Sequence, residues 1–539
     1  MLISMKKFLF VMSTIYYLVS TNSPVRAASE FTTSFNSLYT IHKSGDTQVT
    51  HTITLKNNLS YIYATNYSIA TSGDDLSEIT TSDEYGSISH SITSQNGVTT
   101  IHLTIARPAV GLDQLKTLTI SYKTKDIVEQ IGATTTINIP RLARANEAEN
   151  YVRVVKVEAV ANQATHIFPQ PSGVEQSGDF TTYTFVAHQS DALTLLFGDS
   201  VTYQLNLTYE LKNKEFSSID SELALPPDTS YQHIVIDKLD PPPLDIHLDP
   251  DGNWLARYNL APQEKRLVHA ELYATIYPVP TLPDPSTTSL PNTTKSLYWD
   301  FSATPVTDLA GQLKTPENIY HYLASNFSYA YANSSAGSPR LGALAALASP
   351  SNVLCTEFTD SFVALTRALS IPSRELNGYV YTKSSLTRPI GSATDILHAW
   401  PEYYDLEKFT WTQLDPTWGN TTGGVDYFHK LDFSHITFVR HGVEDSYPLP
   451  AGAYKSNPNE KYIEVVVSEP IEENQDIVVQ NDIVYNHGNV AIVHEDVGYL
   501  PPYGSAPLPL QKSLSFYDKI KIVCAKLLSI FYRPHWAST

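Results

Sequence analysis

Cysteine is nearly absent from this chain: two, Cys355 and Cys524, in 539 residues. A disulfide framework is therefore excluded as the source of stability. Charged residues are also sparse, at 17%, and basic ones are the scarcer kind, leaving a formal charge of −19. Such an acidic surface repels nucleic acid and argues against a DNA- or RNA-binding role. Long apolar runs are missing too. The longest near the start, Phe8 to Val19, is too short to cross a bilayer. Glycine-rich phosphate loops, dinucleotide fingerprints and tight metal-ligand clusters do not occur, so no cofactor is expected for the chemistry.

What is present begins with a leader pattern. Lys6 and Lys7 precede the apolar run, and Val25-Arg26-Ala27 supplies small residues at the −3 and −1 positions. We read residues 1–27 as a secretory signal cleaved after Ala27, with no cysteine nearby to carry a lipoprotein anchor. Loss of Lys6, Lys7 and Arg26 with it takes the formal charge to −22. The expected location is secreted or cell-surface.

Residues 28–212 alternate in short runs such as "TQVTHTITLKN" and "LKTLTISYKT". Period-two patterning rich in Thr, Ile, Leu and Tyr predicts half-buried antiparallel strands in a β-sandwich region. A second β module is expected over 213–277. Its clearest piece is "LDIHLDPDGNWLARYNL", two alternating runs about the turn Asp249-Pro-Asp-Gly252. Asp249 and Asp251 belong to that hairpin rather than to a calcium loop, because too few oxygens are correctly spaced. A Pro/Ser/Thr-rich linker follows at 278–296.

Helical spacing starts beyond the linker. Thr315 caps, Pro316 opens, and Ile319, Tyr322, Leu323 and Phe327 form a stripe, with a second helix at "LGALAALAS". A mixed α+β domain is expected over 297–445, then a C-terminal β module at 446–510 and a tail at 511–539. The tail sets Leu, Ile, Phe and Tyr beside four lysines, an amphipathic helix suited either to docking or to peripheral membrane contact.

Cys355 heads "CTEFTDSFVALTRAL". Positions 355, 358, 362, 365 and 369 recur in steps of three and four, placing Cys355 on a core-facing stripe at the first helical turn. Asn352 is the expected N-cap. A thiol there meets the positive end of the helix dipole, which favours the thiolate. Downstream, "LHAWPEYY" and "WTQLDPTW" read as neighbouring strands carrying His398 and Asp415. Taken singly, the cysteine is a small hydrophobe, the histidine a core residue and the aspartate a turn starter before Pro416. Jointly they supply a nucleophile, a base for its proton and an acceptor that orients the base.

These stretches, with "IPSRELNGY" at 371–379, resemble the transglutaminase-like superfamily of papain-related thiol enzymes. The order is that of the family: a helix-borne Cys, an IPxR strand with a following Gly-Tyr, a His-Ala-Trp strand and an Asp-Pro-Thr segment. The flanking β regions resemble only loosely the modules that accompany this domain in secreted bacterial proteins. The resemblance implies Cys355 as nucleophile, His398 as general base and acid, and Asp415 as the orienting carboxylate. It also implies a structural role for Arg374, and Trp400 and Trp418 as walls of the substrate cleft. The implied reaction is acyl transfer at a peptide or glutamine carbonyl, to water or to an amine. The implied partner is a protein or peptide substrate, cell-surface or wall-associated. A catalytically silent binding module on the same fold is the alternative. Part of the family depends on calcium, but no calcium loop is recognisable here.

The backbone N–H of Cys355 is the one oxyanion donor that can be named from sequence. His429, His435 and His441 recur six apart, which would align them along one strand face, too loosely for a metal site. Asn-X-Ser/Thr triplets at Asn58, Asn206 and Asn420 are what a Thr- and Ser-rich chain produces by chance.

Overall fold

The computed structural model describes residues 30–509, apart from 74, 96–97, 143–147, 159–163, 188–191, 285, 287–295, 332–338, 383–387, 390–396 and 458. The expected signal at 1–27, the tail at 511–539 with Cys524, and most of the linker lie outside the described residues. No helix among those described is long and apolar enough to cross a membrane.

The chain is multidomain, with β modules around a central α+β domain. In the N-terminal region, strand Thr47–Asn57 alternates buried and half-buried residues without a break. It pairs antiparallel with Phe31–Ile41 and Leu115–Thr124. Phe31–Ile41 also pairs in parallel with Asn150–Glu158. Mostly Thr, Ser and other polar residues on the half-buried face, and Val, Ile, Leu and Tyr such as Val49, Ile53, Ile120 and Tyr122 on the buried one, produce this register. The inward faces of this eight-stranded sheet meet smaller sheets over one core that includes Val49, Ile53, Ile101, Ile120, Ile137 and Leu195.

Strand Val201–Lys212 belongs to the second module instead. It pairs along its whole length with Lys265–Ile276, so the first module ends before residue 201. Its other edge pairs with Ile463–Ser468, which brings part of the C-terminal region into the same sheet. The hairpin at Asp249–Gly252 is present, joining Asp245–Leu248 to Trp254–Leu260. Asp249 Oδ1 accepts from the amides of Asp251 and Asn253, the local bonding that makes Asp a turn residue. The core of this module extends into Phe433, Ile436 and Phe438 of the central domain. The two therefore share one apolar interior.

Among the described residues the central domain holds five helices: α1 (Thr304–Leu313), α2 (Pro316–Asn326), α3 (Ala343–Ala348), α4 (Cys355–Ala368) and α5 (Pro416–Thr421). Thr315 caps α2 by accepting from the Asn318 amide at 3.2 Å. Tyr320, not Tyr322, completes the buried stripe with Ile319 and Leu323. The domain's described residues also form four antiparallel strands: β1 (Ser373–Val380), β2 (Leu397–Asp405), β3 (Thr410–Gln413) and β4 (His435–His441), in the order β3-β2-β1-β4. Helix α4 packs on the sheet through Phe358, Phe362 and Leu365, all fully buried. Each such side chain contributes about 1.5–3 kcal/mol by burial.

Two features tie this domain to its surroundings. Of the described linker residues, Asp284 and Ser286 are buried, and Asp284 lies between Arg374 and Arg440 at 3.5 and 3.2 Å. At the β1–β4 irregularity, a Cβ on Gly378 would lie 2.0 Å from the Ile436 carbonyl oxygen, so only glycine lets the strands approach there. Gly378 is the cross-strand partner of His398.

Candidate active site

Cys355 is the first residue of α4 and is partly exposed. The residue before the helix, Leu354, takes the N-cap position in place of the expected Asn352. Asn352 lies too far back because Glu357, at the third helical position, performs the capping. Its Oε2 accepts from the Leu354 amide at 2.9 Å, and its Oε1 accepts from Leu341 at 2.9 Å. A buried carboxylate thus fixes the first turn, and the Cys355 amide remains among the helix's orphan donors.

His398 stands on β2 and is 1% exposed. Asp415 is not on a strand. It is the N-cap of α5, where its Oδ1 accepts from the amides of Thr417 at 2.9 Å and Trp418 at 3.0 Å. Pro416 at the first helical position makes that cap local and stiff. The other oxygen, Oδ2, lies 3.0 Å from His398 Nε2. That contact leaves Nδ1 with no nitrogen or oxygen partner, turned toward Cys355, whose side chain adds to the ring's basicity.

The electrostatics follow from this geometry. Burial opposes a charge on His398, but the Asp415 carboxylate and then Cys355 outweigh it and raise the imidazole to about 10. Burial likewise works against the Asp415 charge, yet His398 and His435 hold that carboxyl down at about 2. At neutral pH the arrangement stabilises an imidazolium between the thiol and the carboxylate.

Trp400 and Trp418 do not wall an open cleft. Both are fully buried and stack on the His398 ring, with centroids 5.9 and 5.4 Å away. The Trp400 indole N–H donates to Gln413 Oε1 at 3.1 Å. Their apolar rings pack beside the imidazole and help keep water from the His398–Asp415 bond. Arg374, expected to be structural, is fully buried. It pairs with Glu402 across the β1–β2 ladder, lies 3.9 Å over the Trp411 ring and donates to Asp251 O and Ser286 Oγ.

Sequence reasoning missed two residues. Tyr329 forms a parallel bridge with Val353, which brings it beside the approach to Cys355. Its phenol is pushed up by burial, then by Cys355, Tyr331 and Asp415. His435, the first residue of β4, sets its Nε2 3.2 Å from Asp415 Oδ2 and its Nδ1 2.9 Å from Asp432 Oδ1. The three histidines do not line one strand. His429 precedes β4 and pairs with Asp426, and His441, at its far end, donates to the Pro448 carbonyl. Among the described residues, the His and carboxylate atoms that converge are those of His398, Asp415 and His435, within 4.8 Å. They are joined by hydrogen bonds.

Comparisons with known proteins bear on the same region. Residues 303–416 match the model of the transglutaminase-like superfamily. No curated protein matches the sequence. Among solved structures, a Cytophaga hutchinsonii protein described as a putative cysteine protease is 14% identical, with a TM-score of 0.33, covering 51% of this chain and 93% of its own. The periplasmic domain of TgpA from Pseudomonas aeruginosa is 14% identical, with a TM-score of 0.23, over 42% of this chain and 97% of its own. An M1 zinc metallopeptidase from Deinococcus radiodurans is 12% identical, with a TM-score of 0.23, over 32% and 43%. The matched segment, residues 303–416, carries the cysteine helix and the histidine strand, and it is this segment that is similar to the transglutaminase-like superfamily.

Proposed function

We propose that this chain is an exported thiol enzyme in which Cys355, His398 and Asp415 transfer an acyl group from an amide carbonyl. The observation that carries the reading is the 3.0 Å contact between His398 Nε2 and Asp415 Oδ2, which turns Nδ1 toward Cys355. The leader pattern at 1–27 supports export.

The Cys355 thiolate adds to the carbonyl carbon of a peptide or glutamine carboxamide, and the π electrons move onto oxygen. The Cys355 amide, at the N-terminus of α4, would donate to that oxyanion, and the bridge of Tyr329 to Val353 supports its hydroxyl as the second donor. Collapse breaks the C–N bond, and His398 Nδ1–H gives its proton to the departing amine. The thioester is then attacked by water or by a primary amine. His398 takes the attacker's proton, and the thiolate leaves with an acid or a new amide as product. The substrate is a protein or peptide at the cell surface or wall.

The test incubates the protein, with its leader removed, with a casein-type substrate, with and without a fluorescent amine. Incorporation of the amine means transfer and fragments mean hydrolysis, and Cys355→Ala should abolish either. If neither occurs and Cys355 is alkylated no faster than free cysteine, the reading is overturned in favour of a silent binding module.

A further inference from the structure

Asp415 has four donors. Its Oδ1 takes two backbone amides, and its Oδ2 takes two imidazoles, from His398 at 3.0 Å and His435 at 3.2 Å. The second imidazole is not needed to orient the first. It is held as deliberately, however, because its Nδ1 is bonded to Asp432, whose Oδ1 also accepts from the Ser434 amide at 2.8 Å. With a carboxylate on each nitrogen, both ring nitrogens of His435 donate, which is the imidazolium form.

The surroundings of His435 are closed. It is 3% exposed, and its ring lies 4.6 Å from Trp418, 5.0 Å from Trp400 and 6.0 Å from His398. Tyr427 completes the enclosure at 6.3 Å. Behind it, Asp432 is faced by Arg388 and Lys430, whose charges help hold its carboxyl low after burial and His435 have had their opposed effects. Burial opposes charge on His435, and Asp432 and Asp415 together overcome it.

We propose that His435 is a second positioning residue of the active site. Fixed by Asp432, it shares Asp415 with His398 and limits how strongly that carboxylate binds the His398 proton. This inference rests on the thiol-enzyme reading. A cation close to His398 and bonded to the same oxygen subtracts from the stabilisation Asp415 can give the catalytic imidazolium. The proton is therefore held well enough to sustain the ion pair with Cys355 and released readily to the leaving amine. The fixed carboxylate also holds the orientation of the His398 ring against the two tryptophans.

The experiment compares wild type, His435→Gln and Asp432→Asn in the full exported chain, following both turnover and the pH profile of Cys355 alkylation by iodoacetamide. Glutamine preserves a donor toward Asp415 but removes the charge. The alkaline limb assigned to His398 should then move to higher pH by about one unit. Turnover should fall between about tenfold and about a hundredfold, with KM unchanged. Asp432→Asn leaves the imidazole in place and should move the limb the same way by less, which serves if His435→Gln folds poorly. A limb that stays at its wild-type position in both variants overturns the inference, even if turnover drops. A wild-type Cys355 no more reactive than free cysteine overturns the thiol-enzyme reading instead.

Discussion

His398 and Asp415 meet through one oxygen only: Nε2 lies 3.0 Å from Oδ2, while Oδ1 of the same carboxylate caps helix α5. One side chain thus performs a structural and an electrostatic task at once. The rigidity of the cap is what gives the histidine a fixed partner, because a capping aspartate cannot rotate without releasing two backbone amides.

The two tasks can be separated by substitution. Asp415→Asn retains an N-cap of similar quality but removes the charge that two buried imidazoles face, so it should destabilise the protein by about 3–5 kcal/mol. Its turnover should fall by about 10²-fold, within the range of general acid–base catalysis. Asp415→Ala should lose activity to at least the same extent and an additional 0.5–2 kcal/mol or so for the missing cap. Thermal melts beside turnover measurements check this. An asparagine variant with full activity would remove Asp415 from the mechanism.

The pH dependence has a defined sign. The folded-state value of His398 is raised to about 10, against roughly 6.5 for an unperturbed histidine. Its ion pair therefore contributes its full stability below about pH 6.5 and loses it progressively as the pH rises toward 10. The Asp415 side of the pair is depressed to about 2, so its contribution is complete above about pH 4 and lost as the pH falls through 2. Urea titrations of wild type and His398→Gln should accordingly differ most between about pH 4 and 6.5. The difference should shrink toward pH 10, and a gap that widens with pH would contradict the assignment.

Local patterns were legible in the sequence where contacts are local. The Cys355 stripe, the Thr315-Pro316 helix start and the Asp249 hairpin each depend on residues within a turn or two of one another. Asp415 could be read as a turn starter or as the acceptor that orients a histidine, and its two oxygens face different partners: Oδ1 caps helix α5 and Oδ2 meets His398. Other features depend on pairings that spacing does not encode. Strand Val201–Lys212 joins the second module through a partner more than fifty residues on. The six-residue spacing of His429, His435 and His441 suggested a shared strand face. The backbone instead places His435 alone beside Asp415. Trp400 and Trp418 were identifiable as aromatics near the site, but composition does not distinguish a cleft wall from buried packing beside an imidazole.

Tyr329 offers the last test, because its place beside Cys355 arises from the bridge to Val353 and not from any motif. If its hydroxyl donates to the oxyanion, Tyr329→Phe removes one hydrogen bond made chiefly in the transition state. The ring remains to fill its position in the core, so the melting temperature should change little. Loss of a single oxyanion donor costs about 10²–10³ in kcat. KM should be nearly unchanged, since the planar substrate carbonyl gains less from that donor than the tetrahedral intermediate does. Alkylation of Cys355 should proceed at close to the wild-type rate, because that reaction develops no oxyanion. Steady-state kinetics beside an alkylation time course distinguish the outcomes. Equal losses in both would mean that the phenol acts on the thiol itself, and an unchanged kcat would leave the Cys355 amide as the donor that matters.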